Sequence, residues 1–120
     1  MDLIAFAPAT DLDRAVEFYG AVLGLEHQET TPFAAVFRAG NVMLRVTKVE
    51  SLQPQPFTIL GWSVPDLRAT VAHLATRGVA FTRYDGMSQD SVGIWTTPDG
   101  SQVAWFRDPE GNTLSLTQFA

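Results

Sequence analysis

Few side chains in this sequence can take part in chemistry, and the most informative of them is Arg45. The chain has no cysteine, which excludes a thiol nucleophile and a thiolate metal site. Its two histidines, His27 and His73, have no recognisable ligand spacing, and we expect them to be structural or solvent-facing. No Ser-His-Asp pattern, P-loop or dinucleotide fingerprint occurs. Hydrogen bonding, charge and aromatic stacking are therefore the available chemistry.

Arg45 lies in the apolar segment MLRVT, where a charged group must be either paired or hydrated. One interpretation is an internal ion pair with a carboxylate such as Asp85 or Asp90. A second is that the guanidinium binds a carboxylate, phosphate or carbonyl oxygen of a ligand. A third is exposure to solvent. The sequence leaves all three open.

Several aromatic side chains offer surface on which a flat ligand could stack, although core packing is the alternative for each. They are Phe6, Tyr84, Trp95 and Trp105. Trp62 falls on the helix-packed side of its predicted strand, so we assign it to the core. The polar segment RYDGMSQD, residues 83–90, predicts a loop that could form the rim of a binding site or a mobile lid.

Composition limits the possible partners. The chain has 120 residues, 46% of them apolar, which is enough for one domain with a core. Its net charge is −5 and Lys48 is its single lysine, so no basic patch is available for nucleic acid. No apolar run is long enough to span a bilayer and no signal-peptide pattern is present, so we expect a cytoplasmic protein with no membrane partner.

The secondary-structure elements that position these residues are predicted by a pattern that occurs twice along the sequence. LIAFAPATDLDRAVEFYGAVLGL predicts a strand and then a helix that is capped by Thr10 and ended by Gly24. TILGWSVPDLRATVAHLATRGV repeats the pattern 55 residues later, so that Asp66 matches Asp11 and Gly78 ends the second helix. An internal repeat of this length suggests two paired α+β units rather than a solenoid.

Further strands follow each helix. AVFRAGNVMLRVT and AWFRDPEGNTLSLT both predict a strand, a turn and a strand, and Pro98-Asp99-Gly100 marks one more hairpin. The sequence therefore predicts an α+β fold of two βαβββ modules within one domain, residues 1–120. Module 1 is about residues 1–50, the Pro-containing linker about 51–57 and module 2 about 58–120.

Strand alternation places the candidate residues on the face of each sheet that is opposite the helix. Small Ala5 and Ala7 suit close helix packing, and hairpin geometry places Val36 opposite Arg45. The same geometry places Trp105 opposite Ser115, and Ile59 and Gly61 of the second module's first strand are expected to pair with Ser115 in the same way. The residues on the face away from the helix are Ile4, Phe6, Met43, Arg45, Ile59, Trp105 and Ser115. A face that is this apolar and yet contains an arginine indicates a cavity open at one end.

Three segments resemble the vicinal oxygen chelate superfamily, which includes glyoxalase I, extradiol dioxygenases, fosfomycin-modifying enzymes and bleomycin-resistance proteins. They are TDLDRAVEFYGAVLGL, VPDLRATVAHLATRGV and WFRDPEGNTLSLTQF, and the resemblance covers nearly the whole chain. It implies paired βαβββ modules whose sheets form a cup, and a homodimer. Metal-dependent members bind one divalent ion there, typically through a His on the first strand and a Glu on the last strand of each module.

Carried over onto this sequence, those four ligand positions do not suit a metal. They read Ile4, Arg45, Ile59 and Ser115. Isoleucine has no donor atom, and a lone neutral hydroxyl is a poor ligand. A fixed positive charge about 4 Å from a divalent ion costs roughly 8 kcal/mol at an effective dielectric constant of about 20. We therefore expect no metal and no cofactor.

The resemblance then implies metal-independent binding of a small organic molecule, antibiotic-like or an aromatic metabolite, as in the resistance proteins that act by sequestration. The expected ligand contacts are Arg45, Phe6, Trp105, Ser115, Trp95, Tyr84 and Met43; catalytic residues are not assigned. The alternative is a lyase, isomerase or dioxygenase that uses an unidentified divalent metal site, or metal-free acid–base chemistry of Arg45 with Asp85, Asp90 or Tyr84. A third possibility is a regulatory module that binds a partner through its sheet edges.

Overall fold

Each half of the chain forms a four-stranded mixed sheet with helix packed on one side. The structure is a computed structural model that describes residues 1–120. Its two compact units are Met1–Pro54 and Gln55–Ala120, and the division falls in the segment predicted as a linker. The predicted α+β fold of two similar modules is confirmed. No helix has the length and apolar composition needed to cross a bilayer.

The first unit follows the predicted strand–helix–strand–strand–strand order. Its elements are β1 (Ile4–Ala9), α1 (Leu12–Ala15) continued by a π-helical segment (Val16–Val22), β2 (Glu26–Thr30), β3 (Ala34–Ala39) and β4 (Val42–Lys48). The strand order in the sheet is β1-β4-β3-β2, with β1 parallel to β4 and the other pairs antiparallel. The buried residues of its helix-packed face include Ala7, Phe37, Leu44 and Val46.

The second unit repeats this topology. Its elements are β5 (Thr58–Ser63), α2 (Leu67–Thr76), β6 (Trp95–Thr96), β7 (Gln102–Arg107) and β8 (Thr113–Gln118). The strand order is β5-β8-β7-β6, with β5 parallel to β8. Between α2 and β6 the chain forms a long irregular segment, residues 77–94, which contains the predicted loop. We refer to it as the α2–β6 segment.

Both helices begin at an aspartate, and this corrects one sequence prediction. Asp11 Oδ1 accepts a hydrogen bond of 3.1 Å from the Arg14 N–H, and Asp66 Oδ1 accepts one of 3.0 Å from the Ala69 N–H. The prediction of Thr10 as the N-cap is therefore wrong. Asp11, one residue after Thr10, is placed so that its carboxylate reaches an unpaired N–H of the first turn. Its negative charge there also interacts favourably with the helix dipole.

The strand register confirms two residue pairs that side-chain alternation predicts and differs from the prediction at Ile59. Val36 lies opposite Arg45 and Trp105 lies opposite Ser115, as predicted. In β5, however, Thr58 pairs with Thr113 and Leu60 with Leu114, so Ile59 is the extra residue of a bulge. The expectation that Ile59 and Gly61 pair with β8 in the same way therefore holds for Gly61 alone.

The core of the second unit lies between α2 and its sheet. Leu67, Val71 and Leu74 of the helix are buried, as are Phe106 and Leu114 of the strands. Trp62 was predicted to belong to this core, but it is only half-buried. Its strand, β5, is at the edge of the sheet, so no further strand covers its outer side.

The Asp-Pro-Glu-Gly-Asn turn that joins β7 and β8 is held by one buried carboxylate. Asp108 is 6% exposed and accepts hydrogen bonds from the Glu110 N–H, the Asn112 N–H and the Asn112 side-chain amide, at 2.9–3.0 Å. Gly111 closes the turn with φ of 92°, a value that favours glycine. This turn sets the β7–β8 register and hence the pairing of Trp105 with Ser115.

Candidate functional site

The second unit brings three of the predicted ligand residues together. The ring of Trp105 lies 5.5 Å from that of Tyr84 in an edge-to-face arrangement and 6.1 Å from that of Trp95 at a tilt of 32°. These are favourable geometries for aromatic pairs. All three side chains are half-buried, so each ring retains accessible surface. We call Tyr84, Trp95 and Trp105 the aromatic cluster.

Local structure explains why the cluster forms. Trp95 pairs with Val103 across the β6–β7 hairpin, and Trp105 is two residues further along β7, so both indoles lie on the same face of the sheet. Tyr84 comes from the α2–β6 segment. That segment is tied to β7 by a hydrogen bond of 2.8 Å from the Thr82 N–H to the Trp105 carbonyl. Strand alternation predicts the tryptophan pair, whereas the position of Tyr84 depends on this tertiary contact.

Ser115 lies next to the aromatic cluster and has an unused hydroxyl group. It faces Trp105 on one neighbouring strand and Gly61 on the other. The residue is only 9% exposed, and its hydroxyl has no hydrogen-bond partner in the chain. Since no fully buried side-chain oxygen or nitrogen lacks a partner, the Ser115 Oγ atom must remain accessible to solvent. A hydroxyl in this position is available to a ligand.

Gly61 leaves that hydroxyl uncovered, and it is a site residue that the sequence patterns did not indicate. A Cβ atom at residue 61 would lie 2.7 Å from Ser115 Oγ. The one available signal was glycine in a strand interior, which often marks a close approach of a ligand or of another chain segment. In this unit the close neighbour is the Ser115 side chain.

The first unit carries the other predicted ligand residues on the face of its sheet away from the helix. Phe6 lies beside Arg45 and Ile4 beside Met43 in the β1–β4 register. Phe6 is 59% exposed and Ile4 44%, whereas Arg45 is half-buried. Within this unit Arg45 makes no hydrogen bond or ion pair. The face therefore combines accessible apolar surface with an unneutralised guanidinium group.

Asp90, which the sequence analysis considered as a partner of Arg45, has a different role. Its carboxylate pairs with Arg68 at 2.6 Å and accepts hydrogen bonds from the Val92 and Ile94 N–H groups at 3.0 Å. Burial acts to raise the pKa of Asp90, but these hydrogen bonds outweigh it and hold the pKa below its ordinary value. A carboxylate stabilised in its charged form is poorly suited to acid–base catalysis near neutral pH. Asp90 therefore anchors the α2–β6 segment to α2.

The two histidines lie apart from these faces. His27 is exposed on the edge strand β2, where its Nε2 atom is 2.8 Å from Thr30 Oγ1. His73 is exposed in the last turn of α2. Neither side chain belongs to the aromatic cluster or to the face that holds Arg45.

At the four positions to which the sequence resemblance would assign metal ligands, the side chains Ile4, Arg45, Ile59 and Ser115 do not fit a divalent ion. Among them only Ser115 has a donor atom, and Arg45 brings a positive charge. No group of three or more histidine, aspartate or glutamate side chains is placed to hold a metal ion.

Comparison with known proteins identifies the family. A model of the Glyoxalase/Bleomycin resistance protein/Dioxygenase superfamily matches residues 3–116, and the chain belongs to this superfamily. The resemblance inferred from the sequence motifs is thus confirmed. No curated protein shows significant sequence similarity to the chain.

Solved structures share the fold at low sequence identity. A superfamily member from Sphaerobacter thermophilus is 21% identical, with a TM-score of 0.75 over 99% of this chain and 97% of that one. A member from Alicyclobacillus acidocaldarius is 19% identical, with a TM-score of 0.73 over 99% and 91%. The lactoylglutathione lyase from Agrobacterium tumefaciens is 22% identical, with a TM-score of 0.68 over 98% and 92%. At these identities the likeness establishes the fold and not the activity.

Proposed function

We propose that this protein binds a small, flat organic molecule without a metal ion, on the face of the second unit that bears the aromatic cluster. The observation that supports this most directly is the accessible, unpartnered hydroxyl of Ser115 beside Trp105. Ligand sites are typically apolar surfaces with a few well-placed polar groups. Here the indole rings supply the apolar surface and the hydroxyl supplies the polar group.

This chemistry favours a particular class of ligand. The molecule would have an aromatic or conjugated ring that contacts Trp105 and Trp95, and a heteroatom at its edge that exchanges a hydrogen bond with Ser115. Antibiotic-like compounds and aromatic metabolites fit this description. Binding without turnover would amount to sequestration.

Arg45 is proposed to bind an anionic or carbonyl oxygen of a ligand, with Phe6 and Met43 as apolar contacts. Its half-burial and lack of a partner within its own unit support this role. Guanidinium groups bind carboxylates and phosphates through two parallel hydrogen bonds, which lysine does not reproduce. Replacement of Arg45 by lysine should therefore weaken binding of an anionic ligand almost as much as replacement by alanine.

Tryptophan fluorescence provides the test of ligand binding. In a Trp62→Phe variant, all tryptophan emission comes from Trp95 and Trp105. A panel of antibiotics and aromatic metabolites should include compounds that quench this emission saturably. A matched variant that keeps Trp62 and replaces the two cluster tryptophans by phenylalanine should not respond. Absence of saturable quenching across the panel would contradict the proposal.

Metal independence is tested by elemental analysis of untagged protein purified without chelators and then exposed to Mn, Fe, Co, Ni and Zn. We expect substoichiometric metal after dialysis, because the family's metal positions offer a single neutral oxygen. One retained equivalent would contradict this part of the proposal and would favour a metal-dependent lyase, isomerase or dioxygenase.

The family resemblance also supports a cytoplasmic homodimer as part of the proposal. Light scattering coupled to size exclusion should then give twice the chain mass of 13.1 kDa. A monomer over a wide concentration range would contradict the dimer without affecting the ligand test.

A further inference from the structure

One side-chain amide, that of Gln89, organises the α2–β6 segment. Its Nε2 atom donates hydrogen bonds of 2.9 Å to the carbonyls of Thr82 and Gly93. Its Oε1 atom accepts a hydrogen bond of 2.7 Å from the Tyr84 N–H. Both donors and the acceptor of the half-buried amide are therefore used within the segment that contains it.

These three bonds connect Gln89 to the backbone beside every ring of the aromatic cluster. Tyr84 is bonded directly, and Gly93 is two residues before Trp95. Thr82 in turn donates its N–H to the Trp105 carbonyl. The backbone of Gln89 also forms an isolated bridge with Trp95.

Two neighbours of Gln89, Gly93 and Asp90, also constrain the path of the segment. Gly93 has φ of 94°, and a Cβ atom there would lie 3.3 Å from Phe81 Cβ and 4.0 Å from Gln89 Nε2. The next residue, Asp90, faces α2 through its ion pair with Arg68. Asp90 thus fixes the segment to the helix, while Gln89 fixes its interior around the rings.

We infer that Gln89 is a positioning residue that sets the spacing of Tyr84 and Trp95 around Trp105, and thereby the size of flat ligand that the cluster accepts. This inference rests on the proposed function as far as the ligand is concerned. The two donor groups of the Gln89 amide are essential to this role, because a glutamate of the same shape accepts hydrogen bonds but cannot donate to the Thr82 and Gly93 carbonyls at neutral pH. The bonds to the backbone beside Trp105 and Trp95 would then be lost, and Tyr84 would remain bonded only to a side chain that is no longer fixed.

The first test needs no ligand. In the Trp62→Phe background, the closely spaced Trp95 and Trp105 indoles should give an exciton couplet in the far-ultraviolet circular dichroism spectrum. Because the β6–β7 hairpin keeps both indoles on one face, the couplet should not vanish in Gln89→Glu and Gln89→Met, but its amplitude should change as the backbone before Trp95 loses its bond to Gln89. It should be unchanged in Ser88→Ala, a change at the exposed neighbouring residue. An unchanged couplet in folded Gln89→Glu protein would overturn the inference.

A second measurement applies even if these variants fail to fold. In the wild-type protein the Tyr84 N–H should exchange slowly with solvent although it lies in an irregular segment, since it donates to Gln89. Rapid exchange of that amide, as fast as that of the unprotected loop amides, would overturn the inference.

The ligand test uses 2-naphthol, a flat aromatic probe that is uncharged at neutral pH, so that an added carboxylate does not simply repel it. Gln89→Glu should weaken its binding by about tenfold, equivalent to about 1.4 kcal/mol, while Ser88→Ala should leave binding unchanged. Equal affinity of Gln89→Glu and wild type would overturn the role in ligand selection. If wild-type protein binds neither this probe nor the antibiotic and metabolite panel, yet the couplet depends on Gln89, the proposed function fails and the positioning of the rings stands.

Discussion

Replacement of Gly61 by alanine tests whether this position is what leaves the Ser115 hydroxyl accessible. The backbone of Gly61 does not use the left-handed region, so alanine meets no conformational barrier there. The added Cβ would, however, lie 2.7 Å from Ser115 Oγ and 3.6 Å from the Ser115 carbonyl oxygen. The first distance is well inside van der Waals contact. Ser115 must therefore rotate, or β5 and β8 must move apart.

Two opposing effects set the change in the free energy of unfolding. Alanine within a strand is about 0.5–1 kcal/mol more favourable than glycine, whereas overpacking costs about 1–3 kcal/mol. With Ser115 present we expect net destabilisation of about 1 kcal/mol. In a Ser115→Ala chain the contact is removed, and Gly61→Ala should instead stabilise by about 0.5 kcal/mol. The coupling energy between the two sites should thus be about 1–2 kcal/mol.

Urea unfolding of the four proteins of this cycle, followed by circular dichroism, measures the coupling. Gly20→Ala is the matched control, because a Cβ there would meet its neighbours at 3.7 and 4.0 Å and should show no coupling to Ser115. Additivity of Gly61→Ala and Ser115→Ala to within about 0.5 kcal/mol would refute the reasoning. For any ligand found in the fluorescence screen, Gly61→Ala should reduce affinity in the presence of Ser115 and not in its absence.

Three further predictions follow from the same geometry. The pKa of Asp90 is lowered in the folded protein, so its contribution to the free energy of unfolding is fully present above pH 3.8 and is lost as the pH falls through the folded pKa. Asp90→Asn should therefore flatten the pH dependence of urea unfolding below pH 3.8. Asp108→Ala should destabilise the protein by about 1–3 kcal/mol, since three donors of the β7–β8 turn lose their acceptor, and a urea midpoint equal to wild type would contradict this. Arg45→Ala should weaken the binding of an anionic ligand by roughly 10–100-fold in fluorescence titration, with little change in stability. Arg38→Ala, at an exposed arginine, should leave this binding unchanged. Equal losses of affinity in the two variants would indicate a nonspecific charge effect.

The repeated strand–helix–strand–strand–strand order could be predicted because its signals are local. Helical spacing, a glycine after each helix and the short turns lie within a few residues of the structure that they specify. The pairing of Val36 with Arg45 and of Trp105 with Ser115 followed from side-chain alternation and turn length. These features depend on neighbours along the chain, which the sequence displays directly.

Other features were decided by contacts between distant segments. The bulge at Ile59 arises where β5 meets β8, and the partial exposure of Trp62 follows from the edge position of β5. The ion pair of Asp90 with Arg68 spans 22 residues of sequence. No local pattern encodes such pairings, because many alternative partners are compatible with the same short segment.

The candidate site likewise has some features that the sequence predicts and others that only the tertiary structure provides. Sequence alone determined the superfamily, the two-module fold and the strand face that holds Trp105 and Ser115. Only the tertiary structure brought Tyr84 against Trp105 and gave Gln89 its three partners. The physical reason is that alternation specifies which side of a strand a residue occupies, whereas the path of an irregular segment depends on hydrogen bonds that form only when the chain has folded.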